Sequence, residues 1–70
     1  MEILETRTNQ EYGYDFIKYS TYMLIKEPDD TYTVVIYTRY TGWLNDSGLN
    51  IKTFDTETKA REYINTIFEV

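Results

Sequence analysis

The side chains that could carry out chemistry in this chain are carboxylates, hydroxyls and lysine amines, because its 70 residues include no histidine and no cysteine. Histidine is the usual base near neutral pH, and the cysteine thiolate is the strongest common nucleophile. Neighbouring carboxylates such as Asp29 and Asp30 can share acid–base work, but acids that follow a proline are typical of solvated turns. We therefore expect no catalytic residues and no enzyme activity.

Oxygen ligands occur together in the segment Asn45-Asp46-Ser47-Gly48, which superficially suggests a calcium loop. The segment lacks the ligand spacing and the distal glutamate of an EF-hand, and its residue types are those that turns select. The chain also has no glycine-rich phosphate loop. We expect a plain turn here, no metal site and no cofactor.

Two large apolar side chains, Trp43 and Leu44, follow Gly42 in a segment that should connect strands at the surface. Trp43 either folds back as a lid on the core or stands exposed as a hot spot for a partner. The lid is favoured, because burying the only tryptophan contributes about 2 to 4 kcal/mol. It predicts blue-shifted indole emission and clear destabilisation by Trp43→Ala.

A C-terminal amphipathic helix is the clearest of the elements that must position these residues, and we predict it from about Thr56 to Phe68. Asp55 or Thr56 can cap its first turn, where Glu57 complements the helix dipole. Apolar residues recur at helical spacing and form one stripe: Ala60, Tyr63, Ile64, Ile67 and Phe68.

A β-hairpin is predicted upstream, with strands over Tyr19 to Glu27 and Thr31 to Thr41 around the turn residues Pro28, Asp29 and Asp30. A loop of two or four residues sorts the apolar residues best, and it gives these pairs: Ile25 with Tyr32, Met23 with Val34, and Ile17 with Tyr40. A three-residue loop sorts them less cleanly. The second face then carries a mixed set: Lys18, Ser20, Tyr22, Leu24, Thr33, Val35, Tyr37 and Arg39.

The remaining sequence predicts a third strand over Leu49 to Phe54 and leaves the first thirteen residues open, since Glu2 to Thr6 can form an edge strand or none. We expect one α+β domain over residues 1–70, with a three- to four-stranded antiparallel sheet packed on one face by the C-terminal helix (β-β-β-α). One helix cannot cover both faces of such a sheet. With no cysteine and no apolar run long enough to cross a bilayer, the expected location is cytoplasmic.

The formal net charge of −5 argues against a general nucleic-acid binder, because phosphate binding requires clustered Lys and Arg. The favoured function is a non-catalytic protein-binding module, and homodimerisation through the second face is compatible with it. The expected partner-binding residues are Tyr22, Val35, Tyr37, Arg39, Trp43 and Leu44. The alternative is a single-stranded nucleic-acid binder in which Tyr22, Tyr37, Trp43 and Arg39 stack on bases.

Residue types with AT-rich codons, such as Tyr, Ile, Asn and Lys, far outnumber those with GC-rich codons. In size, acidity and codon bias the chain resembles accessory proteins of phages and mobile elements in low-GC bacteria, although no motif carries this resemblance. Such proteins commonly bind and inhibit a host protein, so the expected partner is a host protein.

Overall fold

The computed structural model describes residues 1–43 and 45–68. Four strands precede one helix: β1 (Glu2–Gly13), β2 (Phe16–Lys26), β3 (Tyr32–Gly42), β4 (Asp46–Phe54) and α1 (Glu57–Ile67). Each strand pairs antiparallel with its sequence neighbour, in the sheet order β1-β2-β3-β4. The predicted α+β class is therefore confirmed, as a four-stranded open antiparallel sheet with a C-terminal helix.

The N-terminal segment forms a full edge strand, so that the element order is β-β-β-β-α. β1 extends to Gly13, well beyond the Thr6 limit of the predicted alternative, and pairs with β2 along nearly its whole length. The hydroxyl groups of Thr8 and Thr21 lie 2.9 Å apart across this pair. Because an edge strand can leave most of its side chains in solvent, a polar segment such as this one gives a weak strand pattern.

The register between β2 and β3 differs by one residue from the predicted one. Leu24 pairs with Val34 and Tyr22 with Ile36, so the predicted pairing of Met23 with Val34 is wrong. A shift of one residue moves every side chain of a strand to the opposite face of the sheet.

The turn between β2 and β3 explains this register. Its five residues, Glu27 to Thr31, form a connection of odd length, with Asp30 at a φ of 65°. The Asp29 carboxylate accepts hydrogen bonds from the Thr31 hydroxyl at 2.6 Å and from the Thr31 backbone N–H at 3.1 Å. These bonds lower the pKa of Asp29. Aspartate both tolerates a positive φ and accepts backbone hydrogen bonds in turns. The preferences of these turn residues therefore determine the loop length, and not the sorting of apolar residues that favoured an even loop.

The buried core joins residues of β2 and β3 with residues at the C-terminal helix. Cross-strand partners share a face, and the face that enters the core is called the core face below. Leu24 and Val34 are fully buried there. The buried cluster comprises Tyr22, Leu24, Val34, Ile36, Ala60, Ile64 and Phe68. The alternate residues of each strand form the other side of the sheet, called the open face, and the cluster takes none of its described members from that side.

The helix begins and ends close to the predicted residues. The Thr56 side chain caps it by accepting from the Lys59 backbone N–H at 3.2 Å. At the other end the Phe68 N–H donates to the Ile64 carbonyl at 2.7 Å. The apolar stripe is mostly buried, but Ile67 is 48% exposed and lies outside the core.

A polar network ties the helix to β1 and β2. The Tyr22 hydroxyl donates to Glu5 at 2.7 Å, and Arg61 of the helix lies 3.5 Å from the same carboxylate. Arg61 also donates to Glu57 at 2.8 Å. Burial, followed by the hydrogen bond to Glu5, raises the pKa of Tyr22.

We expect Tyr22→Phe to lower the free energy of unfolding by about 1 to 2 kcal/mol, because a hydrogen bond to a carboxylate is lost. A raised pKa means that the folded protein holds the phenol proton more tightly. This contribution is therefore complete below the unfolded pKa of about 10 and is lost as the pH rises through the folded value. Urea unfolding at several pH values should show the difference between wild type and variant shrinking in alkali.

Tyr12→Phe is the matched control, since the Tyr12 hydroxyl donates to Gln10 on the exposed surface at 3.0 Å. It should change stability by less than about 0.5 kcal/mol. A wild-type advantage over Tyr22→Phe that stays constant into strong alkali would contradict the role of the Tyr22 phenol.

Candidate functional site

The structure separates the predicted partner-binding residues. Val35, Tyr37 and Arg39 lie on the open face, as expected. Tyr22 lies on the core face and is 3% exposed, so its predicted place on the second face is wrong. The one-residue register shift also moves three other residues to the core face: Lys18, Ser20 and Leu24. Leu44 lies outside the described residues.

Trp43 is not a lid on the core, because 85% of its surface is exposed. The helix starts beside the pair Tyr32 and Phe54, and its 11 residues span only about 16 Å. β3 runs about 33 Å from Tyr32 to Gly42, which places Trp43 beyond the far end of the strand. The core is thus complete without the indole.

Three exposed aromatic residues lie at this far end of the sheet. Trp43 follows β3, while Tyr14 lies in the turn between β1 and β2 and Tyr12 lies near the end of β1. Tyr12 is 75% exposed and Tyr14 is 89% exposed. We call these three residues the aromatic tip.

The backbone holds the two segments of the aromatic tip together. The Trp43 N–H donates to the Asp15 carbonyl at 2.8 Å, and Phe16 pairs with Gly42. Asp15 has a φ of 67° and Gly42 a φ of 104°. A Cβ at position 42 would lie 2.5 Å from the Asp15 carbonyl oxygen, so only glycine permits this approach.

An aromatic layer lies next to the tip on the core face. The rings of Phe16 and Tyr40 have centroids 5.9 Å apart, and the Lys18 ammonium lies 5.8 Å from the centre of the Tyr40 ring. The Phe16 ring covers Gly13 so closely that a side chain there would collide with it. This packing supports the end of the sheet from which the tip projects.

Carboxylates outnumber cations near the tip by three to two, since Lys18 and Arg39 lie in the same part of the sheet as Glu11 and Asp46. Asp15 lies in the same turn as Tyr14, and Asp46 begins β4 opposite Tyr40. Glu11 lies 3.9 Å from Lys18 at the surface. The tip therefore combines exposed rings with acidic surroundings.

The open face is the second candidate surface. Among the described strand residues, Arg39 is the one charged side chain on this face, and it stacks on Tyr19 at 5.3 Å. Leu49 and Ile51 of the edge strand β4 are 64% and 58% exposed. An exposed apolar patch of this kind is typical of an interaction surface.

The sheet surface carries shallow, open cavities with polar side chains in their linings. One of about 530 Å³ lies on the core face beside the end of the helix, where Ile67 and Phe68 line it. Its floor is formed by sheet residues: Asn9, Glu11, Lys18, Ser20 and Thr38.

The chain matches no family model, and no curated protein or solved structure matches it. Over residues 1–43 and 45–68, no three acidic side chains come together in a group that could hold a metal ion. In the same part of the chain, no helix has the length and apolar character needed to cross a membrane.

Sequence reasoning missed Tyr12 and Tyr14 as exposed surface residues. The signal was present, because Gly13 and Asp15 are turn residues that separate Tyr12 from the apolar start of β2. A turn at this position would have placed both tyrosines at the end of a hairpin. What the sequence does not contain is the pairing of Phe16 with Gly42 that brings Trp43 to the same end.

Proposed function

We propose that this chain is a non-catalytic protein-binding module whose aromatic tip anchors it in a cleft of a partner protein. The observation that carries the proposal is the exposure of Trp43, Tyr12 and Tyr14 at one backbone-fixed end of the sheet. Tryptophan and tyrosine are the residue types most enriched among interface hot spots. Rings on a fixed backbone also lose little conformational entropy on binding.

The acidic surroundings of the tip favour a partner with a neutral or basic rim around its cleft. They also oppose the alternative function, single-stranded nucleic-acid binding, which needs a positive groove along the backbone of the ligand. That alternative relied in part on Tyr22, which is buried beneath the helix. Exposed rings suit either kind of ligand, and the charge around the tip favours protein contact.

The compositional resemblance to accessory proteins of mobile elements supports a cytoplasmic host protein as the target and inhibition as the outcome. Stoichiometric binding needs no catalytic group, in keeping with a chain that has no histidine and no cysteine. Because the helix packs on the core face, the tip and the open face could bind partners at the same time.

Trp43→Ala tests the role of the tip. We expect it to change the free energy of unfolding by less than about 0.5 kcal/mol, since the side chain is exposed. It should weaken partner binding by at least about 2 kcal/mol, close to 30-fold, as loss of a hot-spot residue does. Partners captured from an extract of a low-GC bacterium are titrated with both proteins by calorimetry, because Trp43→Ala lacks the single tryptophan and has no indole emission of its own.

In the free protein the indole should emit at its fully solvated position, and its emission should shift to the blue when the partner binds. Ile67→Ala, which truncates another exposed apolar residue, should bind normally. Equal affinity of Trp43→Ala and wild type would refute the anchoring role. Nuclease-sensitive capture with a steep salt dependence would instead establish the nucleic-acid alternative.

A further inference from the structure

The open face is organised in rows that run across the four strands. One row contains Thr6, Met23, Val35 and Ile51, and the next contains Thr8, Thr21, Tyr37 and Leu49. The preceding row contains Ile3, Ile25, Thr33 and Thr53. None of these described residues is charged, although the chain carries a formal net charge of −5.

Within these rows, each threonine has a larger side chain at the position related to it by a line between β2 and β3, whereas Met23 is related to Val35. Thr6 at one edge is matched by Ile51 at the other, and Thr8 by Leu49. Nearer the line, Thr21 is matched by Tyr37. A half-turn about this line would therefore place each small side chain of one sheet over a large one of an identical sheet.

We propose that two copies of this chain pack open face to open face, with a two-fold axis that runs parallel to the strands between β2 and β3. The arrangement is an aligned β-sandwich, in which side chains from two sheets about 10 Å apart interdigitate. Such an interface is isologous, so Thr6 of each copy meets Ile51 of the other.

With this axis, the charged residue of the open face, Arg39, contacts an aromatic ring of the second copy. Arg39 stacks on Tyr19 within one chain at 5.3 Å, and these two residues are related by the line between β2 and β3. In the pair, Arg39 of each copy lies over Tyr19 of the other. A guanidinium between aromatic rings is a favourable place for a charge in an interface.

Size and charge favour a second copy over other occupants. Four strands about 4.8 Å apart and about 33 Å long present about 600 Å² before side-chain relief is counted. A standard interface takes about 800 Å² from each partner, so nearly the whole face must be covered. A second copy has a matching area with matching neutrality, whereas a basic partner would meet no carboxylate on this face.

One consequence concerns the aromatic tip. Because the axis runs along the strands, the tips of both copies lie at the same end of the sandwich, so that the dimer presents two Trp43 side chains side by side. The dimer does not depend on the proposed function of the tip, since it uses a different surface.

The first test measures association without any partner. Sedimentation or light scattering of the whole chain should give a dimer at micromolar concentration. Ile51→Lys should weaken dimerisation by about 100-fold or more, because each copy would bury an unpaired charge. Asn50→Lys adds the same charge to the neighbouring exposed residue on the core face and should leave the dimer intact.

The second test fixes the axis by cross-linking, which is clean because the chain contains no cysteine. A mixture of Thr6→Cys and Ile51→Cys chains should be joined by a short bifunctional maleimide, because facing Cα atoms about 10 Å apart are too distant for a direct disulfide. Ile51→Cys alone should not cross-link. A two-fold axis that crosses the strands at the row of Ile51 would instead place each Ile51 over its own counterpart, so cross-linking of Ile51→Cys alone would overturn the proposed arrangement.

A wild-type protein that stays monomeric at high concentration would overturn the dimer. A monomer in which Ile51→Lys abolishes capture of a foreign protein would assign the open face to that protein instead. A result that contradicts partner binding by the tip is distinguishable from both of these results, since Trp43→Ala should leave dimerisation unchanged in the absence of any partner.

Discussion

Ile64→Asp should leave the protein unfolded at room temperature. Ile64 is 3% exposed and belongs to the cluster that contains Leu24 and Val34. A carboxylate at this position would be surrounded by apolar side chains, and the destabilisation should reach about 4 kcal/mol or more. A domain of this size rarely has more than about 3 to 5 kcal/mol of stability to lose. Circular dichroism should show no cooperative thermal transition for the variant.

Two controls on the same helix separate burial from helix propensity. Asn65→Asp introduces the same side chain at the next residue, which is exposed, and Glu62→Ala removes an exposed charge. Both proteins should melt within a few degrees of wild type. If Ile64→Asp melted together with Asn65→Asp, the assignment of this helix face to the core would be wrong.

The helix was predictable because its information is local. Apolar spacing, the capping threonine and an acidic first turn all lie within one short segment, and the observed bounds Glu57–Ile67 agree with the prediction to one residue. The α+β class followed for the same reason, since the strands between Phe16 and Phe54 are rich in β-branched and aromatic residues.

The assignment of residues to the two sheet faces failed because it depended on one loop. A change of one residue in the connection after Lys26 exchanges the faces of all residues in β2 relative to β3. Both faces of this sheet carry apolar residues, so apolar sorting could not distinguish the alternatives strongly. Tyr37 and Arg39 were placed correctly on the open face, whereas Tyr22 was not.

The aromatic tip was beyond sequence reasoning for a different physical reason. Its two segments are distant in the chain. They lie together only because β2 pairs with β3, which brings the turn before β2 next to the residues that follow β3. The expectation that Trp43 is buried rested on the area that its burial would remove from water. That argument assumed a core within reach, and the short helix does not extend to the end of β3 where Trp43 lies.

Gly42→Ala should have the second largest effect on stability. Gly42 has a φ of 104°, which an alanine reaches only with strain of about 1 to 3 kcal/mol. The added Cβ would also lie 2.5 Å from the Asp15 carbonyl oxygen, and that oxygen accepts the Trp43 N–H at 2.8 Å. The obstacle is backbone, which cannot rotate away as a side chain would. We therefore expect a total loss of about 2 to 4 kcal/mol in urea unfolding.

Gly48→Ala provides the comparison, because a Cβ at position 48 meets no atom within 4 Å. With no clash and fewer unfolded conformations to lose, this variant should equal wild type or gain up to about 1 kcal/mol. The strain of Gly42→Ala should also break the hydrogen bond between Trp43 and Asp15, so partner binding should weaken even at temperatures where the variant remains folded. A folded Gly42→Ala protein with wild-type stability and wild-type binding would show that the aromatic tip does not depend on this close approach.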